Sequence, residues 1–252
     1  MKWMYLLTLV ISLNAHAIVI RHDVPDQKYQ DAAKSDNSTV TFYGIYQGEE
    51  IVEGTGALIA RDWVVTAAHV AKYLKKDGKV LFKNSQHKIE QVVSHPLWED
   101  KKFPNDIALV KLTKPIESAT IASLYTSSNE IGKTATFIGR GDHGNGLTGV
   151  TGADGKIRLA KNQVDSAEDQ WIRFIFEQGD TALPLEGISG PGDSGGPAYV
   201  NLDGQLYIIG VSSWQNAEPT EWREARYGVI ENYSRISHFK EWIKKTVAGG
   251  VL

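Results

Sequence analysis

The chain is a succession of short runs of β-branched and aromatic residues, and glycine, asparagine, aspartate or proline bounds each run. Turn signals at such short intervals are typical of an all-β barrel or sandwich. Because the chain has no cysteine, such a fold must be held by its apolar core without disulfides. The pattern predicts strands at residues 39–46, 55–60, 63–66, 79–82, 88–94, 107–112, 134–138, 157–164, 171–177, 197–200, 205–213 and 226–232.

The composition is that of a soluble globular protein with nearly balanced charge. Of the 252 residues, 42% are hydrophobic and 23% are charged. Lysine and arginine number 27 against 30 aspartates and glutamates, which disfavours broad nucleic-acid binding because that requires a basic surface. The lack of cysteine also excludes thiolate nucleophiles and cysteine-ligated metal sites.

The first seventeen residues have the order of a secretory signal peptide. Lys2 supplies a positive charge, residues 3–13 are almost entirely apolar, and an Ala-x-Ala pattern ends at Ala17. The alternative is a short membrane anchor, but a largely apolar run of eleven residues is too short to cross ~30 Å of hydrocarbon. We therefore expect residues 1–17 to be removed and the mature chain to be secreted or periplasmic, without membrane attachment.

Two structural halves and one substantial helix are expected in the mature chain. Residues 114–130 are rich in serine, threonine and alanine and join the halves, which we place at 18–122 and 123–252. A short helical turn is expected at residues 71–74. Near the C-terminus, apolar residues recur at helical spacing and the glycine pair 249–250 ends the pattern. This apolar face consists of Phe239, Trp242, Ile243 and Val247.

Residues 139–155 contain seven glycines. The spacing Gly139-x-Gly141-x-x-Gly144 matches a dinucleotide fingerprint, which works only when a helix follows and its N-terminus holds the pyrophosphate. Further glycines directly after Gly144 make a helix implausible. The segment is therefore predicted to be a mobile surface loop, and no nucleotide cofactor is expected.

The run Gly190-Pro191-Gly192-Asp193-Ser194-Gly195-Gly196-Pro197 is the most informative stretch for chemistry. Its glycines and prolines force a tight turn that can expose the Ser194 hydroxyl and aim consecutive backbone N–H groups into one concavity. A serine nucleophile needs a base and a group that orients the base. His69, directly after a strand, offers the base, and Asp106, at the head of an apolar strand, offers the orienting carboxylate.

Three separated motifs, Thr-Ala-Ala-His69, Asp106-Ile-Ala-Leu and Gly-Asp-Ser194-Gly-Gly-Pro, occur in the order His, Asp, Ser. In these motifs the chain resembles the chymotrypsin/trypsin-like serine peptidase family, from about residue 18 to residue 247. The resemblance implies two perpendicular antiparallel β-barrels with the active site in the cleft between them, and a C-terminal α-helix. It implies that Ser194 is the nucleophile, His69 the general base and acid, and Asp106 its orienter. The N–H groups of Gly192 and Ser194 would form the oxyanion hole, and no metal or organic cofactor is required.

The remaining histidines have no comparable sequence context. We expect a structural role for them and no histidine-rich metal site. They are His22, His87, His95, His143 and His238.

The same resemblance suggests how the site is activated. In this family a newly exposed Ile-Val amine pairs with the aspartate that precedes the nucleophile, which is Asp193 here. Signal cleavage after Ala17 would expose Ile18 and Val19, so signal peptidase itself would generate the activating amine. Ile20-Arg21 stands where the family usually has two glycines, and the alternative is that this segment is only the end of the leader or a strand.

Substrate preference is expected from the residues around the primary pocket. By the resemblance, Ile188 forms the floor with Ser189 beside it, and Gln215 and Gly228 stand on the walls, Gln215 as a partial obstruction. An apolar floor cannot compensate a buried cation, so small or medium apolar side chains are expected instead of lysine or arginine. Residues Ser213 and Trp214 are expected to offer a backbone edge to an extended peptide.

The sequence thus predicts a monomeric serine endopeptidase that acts through an acyl-enzyme on protein or peptide substrates, with a protein inhibitor as a further candidate partner. Two alternatives stay open. One is a non-catalytic homologue that binds proteins through the same cleft, and the other is an enzyme with esterase activity only.

Overall fold

The computed structural model describes residues 18–249. The predicted signal peptide, residues 1–17, and the second glycine of the pair that was expected to end the C-terminal helix lie outside the described residues.

The first part of the chain forms a closed barrel. A two-residue strand and a helix precede it, and a short helix interrupts it. The elements in chain order are β1 (Val19–Ile20), α1 (Asp26–Ala33), β2 (Thr39–Tyr46), β3 (Glu49–Leu58), β4 (Trp63–Thr66), α2 (Ala68–Ala71), β5 (Lys79–Phe82), β6 (Ser85–Ser94) and β7 (Ala108–Leu112).

The second part holds the remaining strands and the longest helix. Its strands are β8 (Ser123–Leu124), β9 (Thr134–Gly139), β10 (His143–Asn145), β11 (Gly149–Gly152), β12 (Arg158–Gln163), β13 (Ser166–Glu168), β14 (Trp171–Ile175), β15 (Gly187–Ile188), β16 (Pro197–Leu202), β17 (Gln205–Asn216) and β18 (Ile230–Arg235). Helix α3 (Ile236–Val247) follows directly.

The six strands of the N-terminal barrel pair in the order β2-β3-β4-β7-β6-β5, and β2 pairs with β5 to close the ring. Closure satisfies the backbone of every strand without an exposed edge. Apolar side chains such as Phe42, Val64 and Leu109 fill the interior. Because the chain has no cysteine, this apolar core and the closed backbone pairing stabilise the barrel without disulfides.

The second sheet pairs in the order β12-β9-β16-β17-β18-β14-β13 and forms a half-barrel, with β8 added alongside β17. Its interior contains Phe137, Phe174 and Tyr233, whose rings contact one another at centroid distances of 4.8–5.1 Å. The predicted all-β fold class with a C-terminal helix is confirmed by this arrangement.

Each terminal element packs against the other half. Strand β1 runs parallel to β10 and antiparallel to β15. On α3, Phe239 and Ile243 lie in the same apolar cluster as the N-terminal barrel. The division at residue 122 stays a prediction, because these contacts join the halves at both ends.

Local boundaries differ from the predicted ones in several places. The predicted turn at 71–74 is a short helix at Ala68–Ala71 that contains His69, and the strand predicted at 226–232 begins at Ile230. Helix α1 was not anticipated, because its sequence is largely polar and only Tyr29 and Ala33 are buried.

The prediction of a surface loop at 139–155 is wrong. Residues 143–145 and 149–152 form the hairpin β10–β11, which pairs with β1. Gly144 is buried, and a Cβ there would lie 1.9 Å from the carbonyl oxygen of Gly149. The glycines serve close backbone packing, which sequence alone does not distinguish from loop flexibility.

Within residues 18–249, none of the three α-helices is both long and apolar enough to span a membrane. The same part of the chain contains no group of three or more histidine, aspartate or glutamate side chains arranged to hold a metal ion.

Candidate active site

The loop that carries Ser194 connects β15 to β16 and lies against the N-terminal barrel. The carbonyl oxygen of Ser194 accepts a hydrogen bond from the N–H of Thr55 at 2.9 Å. Gly195 has a φ of +77°, and a Cβ at this position would meet Thr66 Oγ1 at 2.1 Å. Only glycine allows this turn to approach the end of β4, three residues before His69.

His69 is held by Asp106 through two hydrogen bonds. The ring Nδ1 lies 2.7 Å from Asp106 Oδ2, and the backbone N–H of His69 donates to Oδ1 at 2.8 Å. The His69 side chain is 33% exposed, whereas that of Asp106 is 4% exposed. When Nδ1–H donates to the carboxylate, Nε2 is left as an acceptor on the other side of the ring.

The backbone around Asp106 fixes this carboxylate. Asn105 has a φ of +61°, a left-handed conformation that asparagine tolerates better than most residues. The Ser213 hydroxyl donates to Asp106 Oδ2, and the Ser234 hydroxyl donates to the Asp106 carbonyl at 2.7 Å. Two serines from the second sheet therefore hold Asp106, one at its carboxylate and the other at its backbone carbonyl.

The nucleophile loop and the histidine helix meet over one glycine of β3. A Cβ at Gly54 would lie 2.5 Å from the side chain of Val70 and 3.0 Å from the carbonyl oxygen of Ser194. Among residues 18–249, the ring of His69 hydrogen-bonds to Asp106 and not to the Ser194 hydroxyl. Catalytic hydrogen bonds often form only when substrate binds, so the lack of this bond is compatible with a serine–histidine pair.

Two backbone N–H groups of the nucleophile loop are left without a hydrogen-bond acceptor among the described residues. They belong to Gly192 and Ser194, whereas the N–H groups of Asp193, Gly195 and Gly196 all donate within the protein. Gly192 has a φ of +84°, which turns its peptide in a direction that other residues rarely adopt. The two unused donors are the ones expected to form the oxyanion hole.

Asp193 is fully buried and binds the start of the described chain. Its Oδ2 accepts from the N–H of Ile18 at 2.8 Å and from the N–H of Gly190 at 2.9 Å. Its Oδ1 accepts from the N–H of Gly141 at 2.7 Å. Burial raises the pKa of this carboxyl to about 6. The predicted partners Ile18 and Asp193 are therefore brought together, with the glycine-rich hairpin as a third contact.

A cavity of about 210 Å³ opens beside the nucleophile. Ser189, Ser213, Trp214 and Gln215 line it, as expected, together with Glu224 and Glu231. The assignment of Ile188 as its floor requires correction. That side chain is buried in a cluster with Val19, and neither Ile188 nor Gly228 lines the cavity.

The Gln215 side chain is held by other residues of the cavity lining, and its role as a partial obstruction stays a prediction. Its Nε2 donates to the carbonyl of Ser189 at 2.9 Å and lies 3.5 Å from Glu231 Oε1. Its Oε1 accepts from the N–H of Ala225 at 3.1 Å. The amide thus links Ser189 with Ala225 within the cavity lining.

An aromatic cluster flanks the cavity at Trp214. Phe103 stacks on the Trp214 ring at a centroid distance of 4.3 Å, and Trp171 meets it edge-on at 6.0 Å. Phe103 is exposed, so the cluster gives the cleft an apolar surface next to the β17 edge. Sequence reasoning did not single out Phe103, because nothing in its local context marks it.

Two other residues were missed, Ser234 and Glu231. Both lie on β18, and both reach the site only because β18 pairs with β17.

Of the remaining histidines, His22 lies 2.8 Å from the Tyr227 hydroxyl, and His95 packs against the rings of Phe239 and Trp242.

A family model described as Trypsin matches residues 34–243, which is most of the chain. Trypsin from Phaedon cochleariae is 30% identical over 218 residues, covering 75% of this chain and 77% of the beetle protein. Trypsin-1 from Gadus morhua is 28% identical over 214 residues, covering 77% and 80%. Complement C1s subcomponent from Rattus norvegicus is 29% identical over 234 residues, covering 79% of this chain but 33% of the rat protein.

Proposed function

Because the chain belongs to the trypsin family of serine peptidases, we propose that it is a secreted or periplasmic endopeptidase that cleaves peptide bonds with Ser194, His69 and Asp106. One observation carries the proposal. The His69 ring is fixed by Asp106 next to a serine loop that has two unused backbone donors. A binding module has no need for that combination.

In the first half of the reaction, Ser194 Oγ attacks the peptide carbonyl while His69 Nε2 takes the hydroxyl proton. The carbonyl oxygen becomes an oxyanion and accepts hydrogen bonds from the N–H groups of Gly192 and Ser194. When the C–N bond breaks, His69 returns the proton to the leaving amine. Ser194 is left as an ester of the acyl fragment.

In the second half, a water molecule takes the place of the amine. His69 accepts a proton from this water as its oxygen attacks the acyl carbon, and it then protonates Ser194 Oγ as the ester bond breaks. Asp106 stays ionised and stabilises the imidazolium in both halves. The reaction needs no group beyond these residues and water.

Covalent labelling tests this proposal. A fluorophosphonate should label the wild-type protein at one residue, and Ser194→Ala should abolish the label while retaining the fold. Turnover of matched peptide amides and esters then separates an endopeptidase from an esterase. A folded wild-type protein that takes up no label would support a non-catalytic binding module instead.

We further propose that signal cleavage after Ala17 activates the enzyme directly. In the described structure the donor to Asp193 is the peptide N–H of Ile18, and both residues are buried. Cleavage would place an ammonium group there, and a buried carboxylate gains most from such a cation. Arg21 stands where the family usually has glycine, and its guanidinium donates to the carbonyls of Ala182 and Leu183.

N-terminal sequencing of the exported protein should find Ile18 as the first residue. A recombinant chain with two residues added before Ile18 should lose most of its activity and recover it when they are removed. A mature protein that starts elsewhere with full activity would end this part of the proposal. Export, a monomeric state and recognition of a protein inhibitor belong to the same proposal, and gel filtration of the exported protein tests the monomer.

A further inference from the structure

Glu231 places a carboxylate in the cavity beside the nucleophile. The residue lies on β18, opposite Gln215 of β17, and is 2% exposed. It shares the cavity lining with Ser194 and Ser189. A buried carboxylate within a substrate-sized cavity requires a physical explanation, because leaving such a group without a cation is costly.

All the direct partners of this carboxylate are neutral. The N–H of Ser189 donates to Oε2 at 3.0 Å, and the amide of Gln215 reaches Oε1 only at 3.5 Å. Burial raises the pKa of Glu231 to about 7, above its ordinary value of 4.5. The pocket therefore offers acceptor groups and lacks a matching positive charge.

The other groups around Glu231 are neutral or acidic. The Tyr233 hydroxyl, on the same strand, is bonded to Ser189 Oγ at 2.7 Å. Phe174 of β14 is paired opposite Glu231. Asp193, in the nucleophile loop, adds repulsion, and Glu224 stands exposed at the cavity mouth. Within the described residues that line the cavity, none is lysine, arginine or histidine.

The amide of Gln215 shows where a positive group would sit. Its Nε2 already donates to the Ser189 carbonyl and points toward Glu231. An ammonium or guanidinium group that displaces this amide finds the same two acceptors, and it gains a charge-assisted hydrogen bond that the neutral amide cannot make.

We propose that Glu231 determines specificity, and that the cavity receives the lysine or arginine side chain of the residue whose carbonyl Ser194 attacks. This inference rests on the proposed peptidase function. It replaces the expectation of an apolar preference, which depended on Ile188 as the pocket floor. The acidic group comes from β18 and not from the residue six positions before the nucleophile.

Pairs of peptide substrates that differ only in the charge of one side chain test whether Glu231 recognises that charge or only the shape of the side chain. Arginine is compared with its neutral analogue citrulline, and lysine with norleucine, in otherwise identical substrates. Wild type should favour the charged member in kcat/KM by roughly 10- to 100-fold. Glu231→Gln should reduce that ratio to near unity, and Glu231→Asp should retain part of it. Ser189→Ala serves as a control that alters the lining without removing charge.

The pH dependence of the same ratio gives a second readout. Any ionisation that affects both substrates equally cancels in the ratio, whereas the charge of Glu231 acts only on the charged substrate. The ratio should rise as pH increases through about 7 in wild type and stay flat in Glu231→Gln. A wild-type ratio near unity at pH 9 would overturn the inference, and so would a ratio that survives Glu231→Gln.

Fluorophosphonate labelling is measured on the same samples. If the wild-type protein takes up no label, the peptidase function itself is contradicted. If it is labelled but does not prefer the charged peptides, only the role of Glu231 is contradicted. If Glu231→Gln fails to fold, the wild-type pH profile decides, since a ratio independent of pH between 5 and 9 contradicts the inference.

Discussion

Replacing Glu231 by glutamine is expected to stabilise the fold above neutral pH and to leave it nearly unchanged in acid. Burial raises the carboxyl pKa from 4.5 to about 7. The folded state therefore keeps a proton that the unfolded chain has released. The stability associated with this group is fully present below pH 4.5 and is lost as the pH rises through 7.

The magnitude follows from the shift in pKa. The difference 7 − 4.5 is 2.5 units. At about 1.4 kcal/mol per unit this amounts to a free-energy cost on the order of 3 kcal/mol above pH 8. Little of this is screened by solvent, because Glu231 is only 2% exposed. A cost of this size is a large fraction of the stability of a typical domain.

Urea unfolding at pH 5 and pH 8.5 measures the effect. The two proteins compared, one with Glu231 and one with Glu231→Gln, should both carry Ser194→Ala, so that unfolded chains are not digested during the titration. Glu221→Gln is the matched control, because that side chain is 88% exposed and its substitution should not alter the pH dependence. Equal stability differences at the two pH values would refute the reasoning, since they would mean that the carboxylate does not lose its solvation on folding.

Three further outcomes are expected. Asp106→Asn should lower kcat on the order of 10⁴-fold, the size known for triad peptidases, with unfolding transitions close to wild type. Gly192→Ala should lower kcat by roughly 10²- to 10³-fold with little change in KM, because a Cβ there would meet Gly141 Cα at 2.9 Å and displace an oxyanion donor. Glu186→Gln should stabilise the protein above pH 7 without altering kcat/KM, because burial raises the pKa of Glu186 to about 7 and this residue lies outside the cavity. Steady-state kinetics and urea unfolding check all three, and a Glu186→Gln enzyme with altered kcat/KM would contradict the separation of site and core.

The chemistry of the site was predictable from local sequence because its parts are local. The turn around Ser194 needs glycine at fixed offsets, and His69 and Asp106 each adjoin a strand whose apolar pattern is readable. The structure brings His69 and Asp106 into contact and leaves free the two N–H groups that the resemblance assigned to the oxyanion hole.

The specificity pocket was not predictable in the same way. Glu231 enters it through the register between β17 and β18, and that register contains a shift between Ser212 and Trp214. A one-residue slip reverses which side chains face the cavity, and no local pattern encodes such a slip. The hairpin β10–β11 escaped prediction for a related reason, since its partner β1 lies more than a hundred residues away.

The terminal elements β1 and α3 each pack against the opposite half of the chain, and this determines whether the halves can be expressed separately. Helix α3 covers part of the core of the N-terminal barrel. In the second half, β1 lies between β10 and β15 in a separate small sheet, and Ile18 before it binds Asp193. Each half expressed alone would thus expose apolar surface that its counterpart normally shields. Because the chain has no cysteine, this mutual packing of the terminal elements joins the halves without a disulfide. The two halves should therefore unfold together in a single thermal transition.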